Sequence, residues 1–314
     1  MPRFVLGMIL VCLALCNPVL AGASGPTPEI SAGTRKTFTC ADRYGSSFNI
    51  SYVDTGMSGR EAVMLIHGFG ASAYTWREVI HALAANHRVI APDLKGFGAS
   101  DKPDDGHYSV FDQAEVVDAL VRHLGLQDVV IGGHSMGGTI AMILASDPVA
   151  GKPYRISRLM LFDAPLFRQR LPFFIMALDI PFLGEAGLYV IPADLVVRWV
   201  LRECYYDDGL IRNDEVAAYA AGLSTPGGRK ALVRTAEALA DLNASGHPFD
   251  FSKVRMPVLI VWGKNDSVVP RGYAYALRDA LPGPVYFHML DRCGHFPMTE
   301  KPQEVIPIIQ EFLD

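Results

Sequence analysis

At 314 residues, half of them hydrophobic and 19% charged, the chain is long enough for one large α/β domain with an insertion, and its composition excludes extended disorder. The formal net charge is -5, acids and bases are interspersed, and no basic run is present, which argues against DNA or RNA as partners.

Residues 1–23 have the pattern of a secretory signal peptide. Arg3 supplies the positive start, 4–15 is a nearly unbroken apolar run, Pro18 breaks it, and Ala21-Gly22-Ala23 offers small residues for cleavage. The expectation is a secreted or periplasmic chain cleaved near Ala23. A retained anchor is disfavoured because the run is shorter than the ~20 residues that span a bilayer. Lipoprotein processing at Cys16 is disfavoured by the bulky Leu15. Residues 22–33 read as a flexible leader. Cleavage leaves Cys40, Cys204 and Cys293, an odd number. Export permits one disulfide, with Cys40 and Cys204 the first pair to test and three buried free thiols the alternative.

Two alternating stretches, 36–41 and 48–54, predict an antiparallel sheet edge. The apolar run 62–66 predicts a strand, and His67-Gly68-Phe69-Gly70 follows it. A helix over 74–85, a strand over 88–91 and a helix over 110–124 come next. The strand 128–131 then leads into Gly133-His134-Ser135-Met136-Gly137 and a helix over 137–147. After a strand at 159–162 the alternation stops. Residues 165–247 become a run of helix-like pieces rich in Leu, Phe, Tyr and Val and broken by Pro172, Pro181 and Pro192, which reads as an inserted cap. Acids and prolines inside 171–201 exclude a membrane span there. Strands at 258–262 and 285–290 and helices at 272–281 and 302–313 resume the pattern. The organisation expected is a core over 24–164, a cap over 165–247 and the rest of the core over 248–314, with a mostly parallel sheet.

The serine pentad matches G-x-S-x-G in the strand-then-helix setting that the motif requires. A nucleophile on so sharp a turn needs glycines where a Cβ would strike the neighbouring strand and helix. Ser135 is the candidate nucleophile, and a serine hydroxyl needs a base to take its proton. His295 fits, because it follows the last strand in Cys293-Gly294-His295-Phe296-Pro297. His81, His87, His107 and His123 read as surface or half-buried residues, and His247 and His288 lack a glycine loop. The acid that orients the base is assigned to Asp266, just past the strand 258–262 and 29 residues before the histidine. Asp163, at the end of the preceding strand, is its rival. Backbone N–H groups of Phe69 and Met136 are the candidate oxyanion donors, and His67 reads as a residue that orders its loop rather than a metal ligand.

These stretches resemble the α/β-hydrolase superfamily, in its capped esterase, lipase and carbon-carbon hydrolase branch, from about Phe38 to Leu313. The likeness also rests on 93–103, on Trp262-Gly263 with Pro270, and on Glu300 and Pro302 after the histidine. It implies an eight-stranded, mostly parallel sheet flanked by helices, with an inserted helical cap, and a mechanism without cofactor or metal. Lys95 departs from the usual proline or arginine before glycine, with no change in chemistry expected. Related haloalkane dehalogenases and epoxide hydrolases carry aspartate at the elbow, so Ser135 argues against both. Cleavage of a small-molecule ester through an acyl-enzyme leads. The apolar cap (Phe167, Phe173, Phe174, Phe182, Leu183, Tyr189, Trp199) suggests a lipophilic acyl or ring substrate and peripheral lipid contact, against a plain packing role. Carbon-carbon hydrolysis fits export poorly. An amidase or aminopeptidase would use Glu203, Asp207 and Asp208 beside Tyr205 and Tyr206. A noncatalytic binding protein on the same fold has no need of all three triad groups.

Overall fold

The computed structural model describes residues 28–56, 61–146, 152–180, 183–246 and 249–314. The expected signal peptide with Cys16, and His247, Pro181 and Phe182, lie outside these residues.

Eight strands form one sheet: β1 Thr34–Ala41, β2 Ser47–Asp54, β3 Ala62–Ile66, β4 Arg88–Pro92, β5 Asp128–His134, β6 Arg155–Phe162, β7 Val258–Gly263 and β8 Val285–Leu290. Their spatial order is β1-β2-β4-β3-β5-β6-β7-β8. β1 pairs with β2, and β2 with β4, antiparallel, while every later pairing is parallel. The sequence explains the difference. β1 keeps only Phe38 and Cys40 buried, as an edge strand does, whereas β3 (AVMLI) and β7 (VLIVWG) are buried along their whole length because helices cover both faces of the parallel part. Parallel strands send all their C-terminal ends to one edge. The turns after β3, β5, β6, β7 and β8 therefore gather there, at the end where open α/β sheets bind ligands.

The flanking helices are α1 Arg77–Leu83, α2 Val110–His123 and α3 Met136–Ser146. The helix expected over 74–85 divides into a 3-10 turn, Ala73–Trp76, and α1. α2 begins in a capping box, Ser109 with Asp112. Among the described residues, five α-helices lie between β6 and β7: α4 Phe173–Leu178, α5 Leu183–Val190, α6 Ala193–Cys204, α7 Asn213–Leu223 and α8 Pro226–Ser245. Prolines open rather than merely interrupt these segments: Pro172 and Pro192 are N-caps and Pro226 stands in the first turn. A fixed φ and no N–H to lose suit proline to helix starts. The chain then completes the core with α9 Gly272–Ala280, the short α10 Pro297–Glu300 and α11 Pro302–Leu313. Among the described residues, no helix is long and apolar enough to cross a membrane.

Of the two readings of the cysteines, the structure has free thiols rather than a disulfide. Cys40, Cys204 and Cys293 are all free and buried. Cys40 lies on the edge strand beside Asp42, while Cys204 ends α6 beside Asp266 and Glu300. Lys95 is buried as well, but its ammonium is well served. Nζ donates to Asp105 Oδ2 at 2.7 Å and to the His107 carbonyl at 3.2 Å, and it lies over the rings of Phe48 and Tyr108.

Candidate active site

Ser135 stands between the last residue of β5 and the first of α3, with φ at 52°. A non-glycine residue with positive φ is strained, and the surroundings must enforce it. Its N–H is held by the Phe162 carbonyl at 2.9 Å, and its own carbonyl accepts from Gly138 at 2.8 Å. A Cβ on Gly133 would run into the Gly137 carbonyl, and one on Gly137 into the Ile66 carbonyl. The turn can be this tight only because both residues lack side chains.

His295 and Asp266 meet as the chain order suggested. His295 Nδ1 lies 2.8 Å from Asp266 Oδ2. The other carboxylate oxygen, Oδ1, accepts from the Val268 and Val269 N–H groups at 2.7 and 3.0 Å. The acid is thus fixed by its own turn, with one oxygen left for the imidazole. His295 is 3% exposed, so the pair is shielded from water. Among the described residues no hydrogen bond joins Ser135 to His295. The residue beside the serine connects the two loops instead: His134 Nε2 lies 2.6 Å from the His295 carbonyl, and the two rings sit 4.8 Å apart. Serine–imidazole bonds are commonly long before substrate arrives.

The Phe69 and Met136 N–H groups face no protein acceptor among the described residues, Met136 because the first residue of a helix has none within it. The loop after β3 also lies close to the nucleophile, since a Cβ on Gly68 would stand 3.1 Å from that of Ser135. His67 holds this loop in shape. Nε2 accepts from Leu94 N–H at 2.9 Å and Nδ1 lies 2.8 Å from the Gly68 carbonyl, so the ring is neutral; burial pushes its pKa down.

Asp163, the rival acid, also comes to the site. It is wholly buried, with φ at 46°, and an oxygen of Asp163, an oxygen of Asp266 and a nitrogen of His295 lie within 4.8 Å of one another. Three such ligands could formally hold a cation. The imidazole nitrogen that faces Asp266 is already engaged by it, so the cluster fits a proton better than a metal.

Some contributors were given no role by the sequence. Glu300 accepts backbone N–H groups from Tyr206 at 2.8 Å, Gly294 at 3.0 Å and Phe296 at 3.1 Å. The His295 N–H donates to the Cys204 carbonyl at 2.7 Å. The end of α6 is therefore stapled to the loop that carries the base. Burial pushes the Glu300 carboxyl above the usual carboxylate range, against the pull of these donors.

Beside the site lies a cavity of about 320 Å³ between the core loops and the helices that follow β6. Phe69, itself an oxyanion candidate, and Phe296, next to the base, form one side; Phe173, Leu188, Trp199 and Leu232 form others. Among the described residues no charged side chain lines it. The Tyr219 hydroxyl is spent on Thr75 and Glu215. Of the aromatic cap residues singled out by sequence, Phe173, Phe174 and Trp199 line this space. Phe167 packs instead between Phe251 and Tyr273, and Tyr189 is exposed with the Arg229 guanidinium over its ring. Glu203, Asp207 and Asp208 are exposed and outside the lining; Asp207 caps a 3-10 turn, Asp208–Leu210.

Residues 63–308 match the sequence profile of the Alpha/beta hydrolase family. An uncharacterized hydrolase of Bacillus subtilis is 28% identical over 274 residues, 84% of this chain and 94% of its own. The 2-hydroxy-6-oxo-2,4-heptadienoate hydrolase of Pseudomonas putida is 28% identical over 267 residues, 80% of this chain and 88% of its own. Among solved structures, a bacterial membrane phospholipase A superposes with a TM-score of 0.72 at 26% identity, covering 100% of this chain and 98% of that one.

Proposed function

Because the chain belongs to the alpha/beta hydrolase family, we propose that it is a serine hydrolase of carboxylic esters with a lipophilic acyl or ring group, acting through an acyl-enzyme. Ser135 attacks the carbonyl while His295 takes its proton, and Asp266 holds the imidazole and balances its charge as it becomes imidazolium. The Phe69 and Met136 N–H groups receive the oxyanion. His295 then passes the proton to the leaving alcohol, and water attacks the acyl-enzyme by the reverse sequence to release the acid.

The cavity carries this reading. It is apolar, is lined by Phe69 of the oxyanion loop and by Phe296 next to the base, and has no charged side chain in its lining among the described residues. An acyl chain or ring gains by leaving water for such a space, about 0.8 kcal/mol for each buried CH₂. The phospholipase likeness agrees with it.

Carbon-carbon hydrolysis is the second reading, favoured by the Pseudomonas relative. The compound in that relative's name is a carboxylic acid, and a buried carboxylate needs a cation or several donors. Among the described residues no charged side chain lines the cavity. An aminopeptidase reading lacks an acid to receive the substrate amine for the same reason.

The test is turnover of p-nitrophenyl esters from acetate to decanoate alongside ring-cleavage products. Ser135→Ala should lower ester turnover by about 10⁴-fold or more and abolish labelling by a fluorophosphonate. Undiminished turnover in that variant, or cleavage of ring-cleavage products alone, would overturn the assignment.

A further inference from the structure

Asp163 is a buried acid that the reaction as written does not use. β6 delivers it to the edge of the sheet in a left-handed backbone conformation. Oδ1 accepts from the Gly263 N–H at 3.0 Å, and Oδ2 has no hydrogen-bond partner among the described residues. Asp266 stands close by, with Oδ1 occupied by two backbone donors and Oδ2 turned to His295. The groups whose charges bear most on Asp163 are the acids Asp266 and Glu300, and no lysine or arginine is among them. The buried thiols of Cys293 and Cys204 are near these acids too and stay neutral, their pKa values raised by burial. The imidazole of His295 is the group that can bring a positive charge to this cluster, when it takes the serine proton.

We propose that Asp163 stands as a neutral carboxylic acid whose proton is donated toward Asp266, making it a positioning residue that holds the triad carboxylate against His295. Two carboxylates this close in a dry site do not both ionise, and the geometry says which keeps its charge. Asp266 has two N–H donors and an imidazole to stabilise an anion, while Asp163 has a single backbone donor. Burial first, and then the Asp266 charge, push the Asp163 pKa well above the carboxylate range. A protonated Asp163 also gives the orphaned Oδ2 a bond to make.

Asp163→Asn is the informative variant. Asparagine tolerates left-handed φ, keeps an acceptor for Gly263, offers an N–H toward Asp266 and cannot ionise. The first readout is the thermal midpoint between pH 4 and 8, which needs no substrate. In the wild type the native acid holds its proton while the unfolded chain loses it above about pH 4, so stability drains away as pH rises. The midpoint of Asp163→Asn minus that of wild type should therefore grow with pH, by several degrees at pH 8. A gap that is flat in pH overturns the proposal.

The second readout rests on the proposed ester hydrolysis. On p-nitrophenyl butyrate, Asp163→Asn should stay within about threefold of wild type with its acidic limb unmoved, while Asp266→Asn loses roughly 10³-fold or more. Asp163→Ala should lower kcat about tenfold at unchanged KM and move the acidic limb to higher pH, since Asp266 then gives its whole charge to the imidazolium. An Asp163→Asn variant as impaired as Asp266→Asn would make Asp163 the ionised acid and overturn the proposal. So would an Asp163→Ala variant with wild-type kcat and pH profile. Absence of turnover in the wild type would defeat the ester reading alone, leaving the melting experiment to decide Asp163.

Discussion

A serine hydroxyl reacts only as fast as its base can take the proton, so the residues that hold His295 set the tolerance at Ser135. His134 is one of them. Burial, and then the neighbouring His295, push its pKa well below the ordinary histidine value, so the ring is neutral and Nε2 can donate to the His295 carbonyl. His134→Phe keeps the ring and removes that donor without removing a charge. Steady-state kinetics should show kcat lower by about tenfold, the worth of one buried hydrogen bond, with KM little changed. A kcat equal to wild type would show that the contact holds nothing. The triad candidates were legible in the sequence because each lies in a recognisable turn at a strand end. The supporting contacts of His134, the Cys204 carbonyl and Glu300 were not, although His134 and Glu300 themselves stand in the motifs. Their partners lie 161 and 94 residues away for the first and last, and no local pattern encodes a contact of that separation.

At the scale of elements, the two parts of the chain differ in how plainly they declare themselves. Period-two alternation and short β-branched runs mark the strands, and the structure places all eight within a few residues of where those runs predict them. The strands that extend further do so for a reason the pattern hides: β5 runs on through Gly132, Gly133 and His134 because Met160, Leu161 and Phe162 on β6 still pair with them. The helices after β6 were legible only as helical pieces, since their apolar residues serve two masters, the packing beneath and the cavity between. Leu188 on α5 is such a residue, buried and lining the cavity. Leu188→Trp should fill part of that space, costing about 1–3 kcal/mol of stability from overpacking. If the cavity takes the acyl chain, kcat/KM for the decanoate ester should fall about tenfold relative to that for the acetate ester. An unaltered chain-length profile in a folded variant would remove the cavity from acyl recognition.

For the whole molecule, what matters is that the helices over the site and the core beneath it share one buried polar network. Glu215 on α7 is fully buried; Oε2 accepts from Tyr205 at 2.7 Å and Oε1 from Tyr219 at 3.1 Å, while Arg77 on α1 lies 3.7 Å away. Tyr219 reaches the Thr75 hydroxyl at 2.7 Å and Tyr205 the Thr299 hydroxyl at 2.8 Å, so the network joins α6 and α7 to the loop after β3 and to α10. No sequence pattern announces it, because Glu215 looks like any acid in a first helical turn. A charge pair buried this way need not add net stability over apolar packing, but removing one partner strands the other. Glu215→Ala leaves the Arg77 guanidinium facing two hydroxyls, with the more exposed Glu78, 3.6 Å away, as the counter-charge that remains. Thermal unfolding should show a loss of about 3 kcal/mol, roughly 8 °C in midpoint for a chain of this size. Glu215→Gln, which removes the charge but keeps an acceptor for one tyrosine and can donate to the hydroxyl oxygen of the other, should lose less. Tyr205 also stacks on Phe296, with ring centroids 5.4 Å apart, so loosening the network should reach the base and lower kcat as well as the midpoint. A Glu215→Ala protein with wild-type midpoint and wild-type kcat would mean that the helices over the site are held by apolar packing alone.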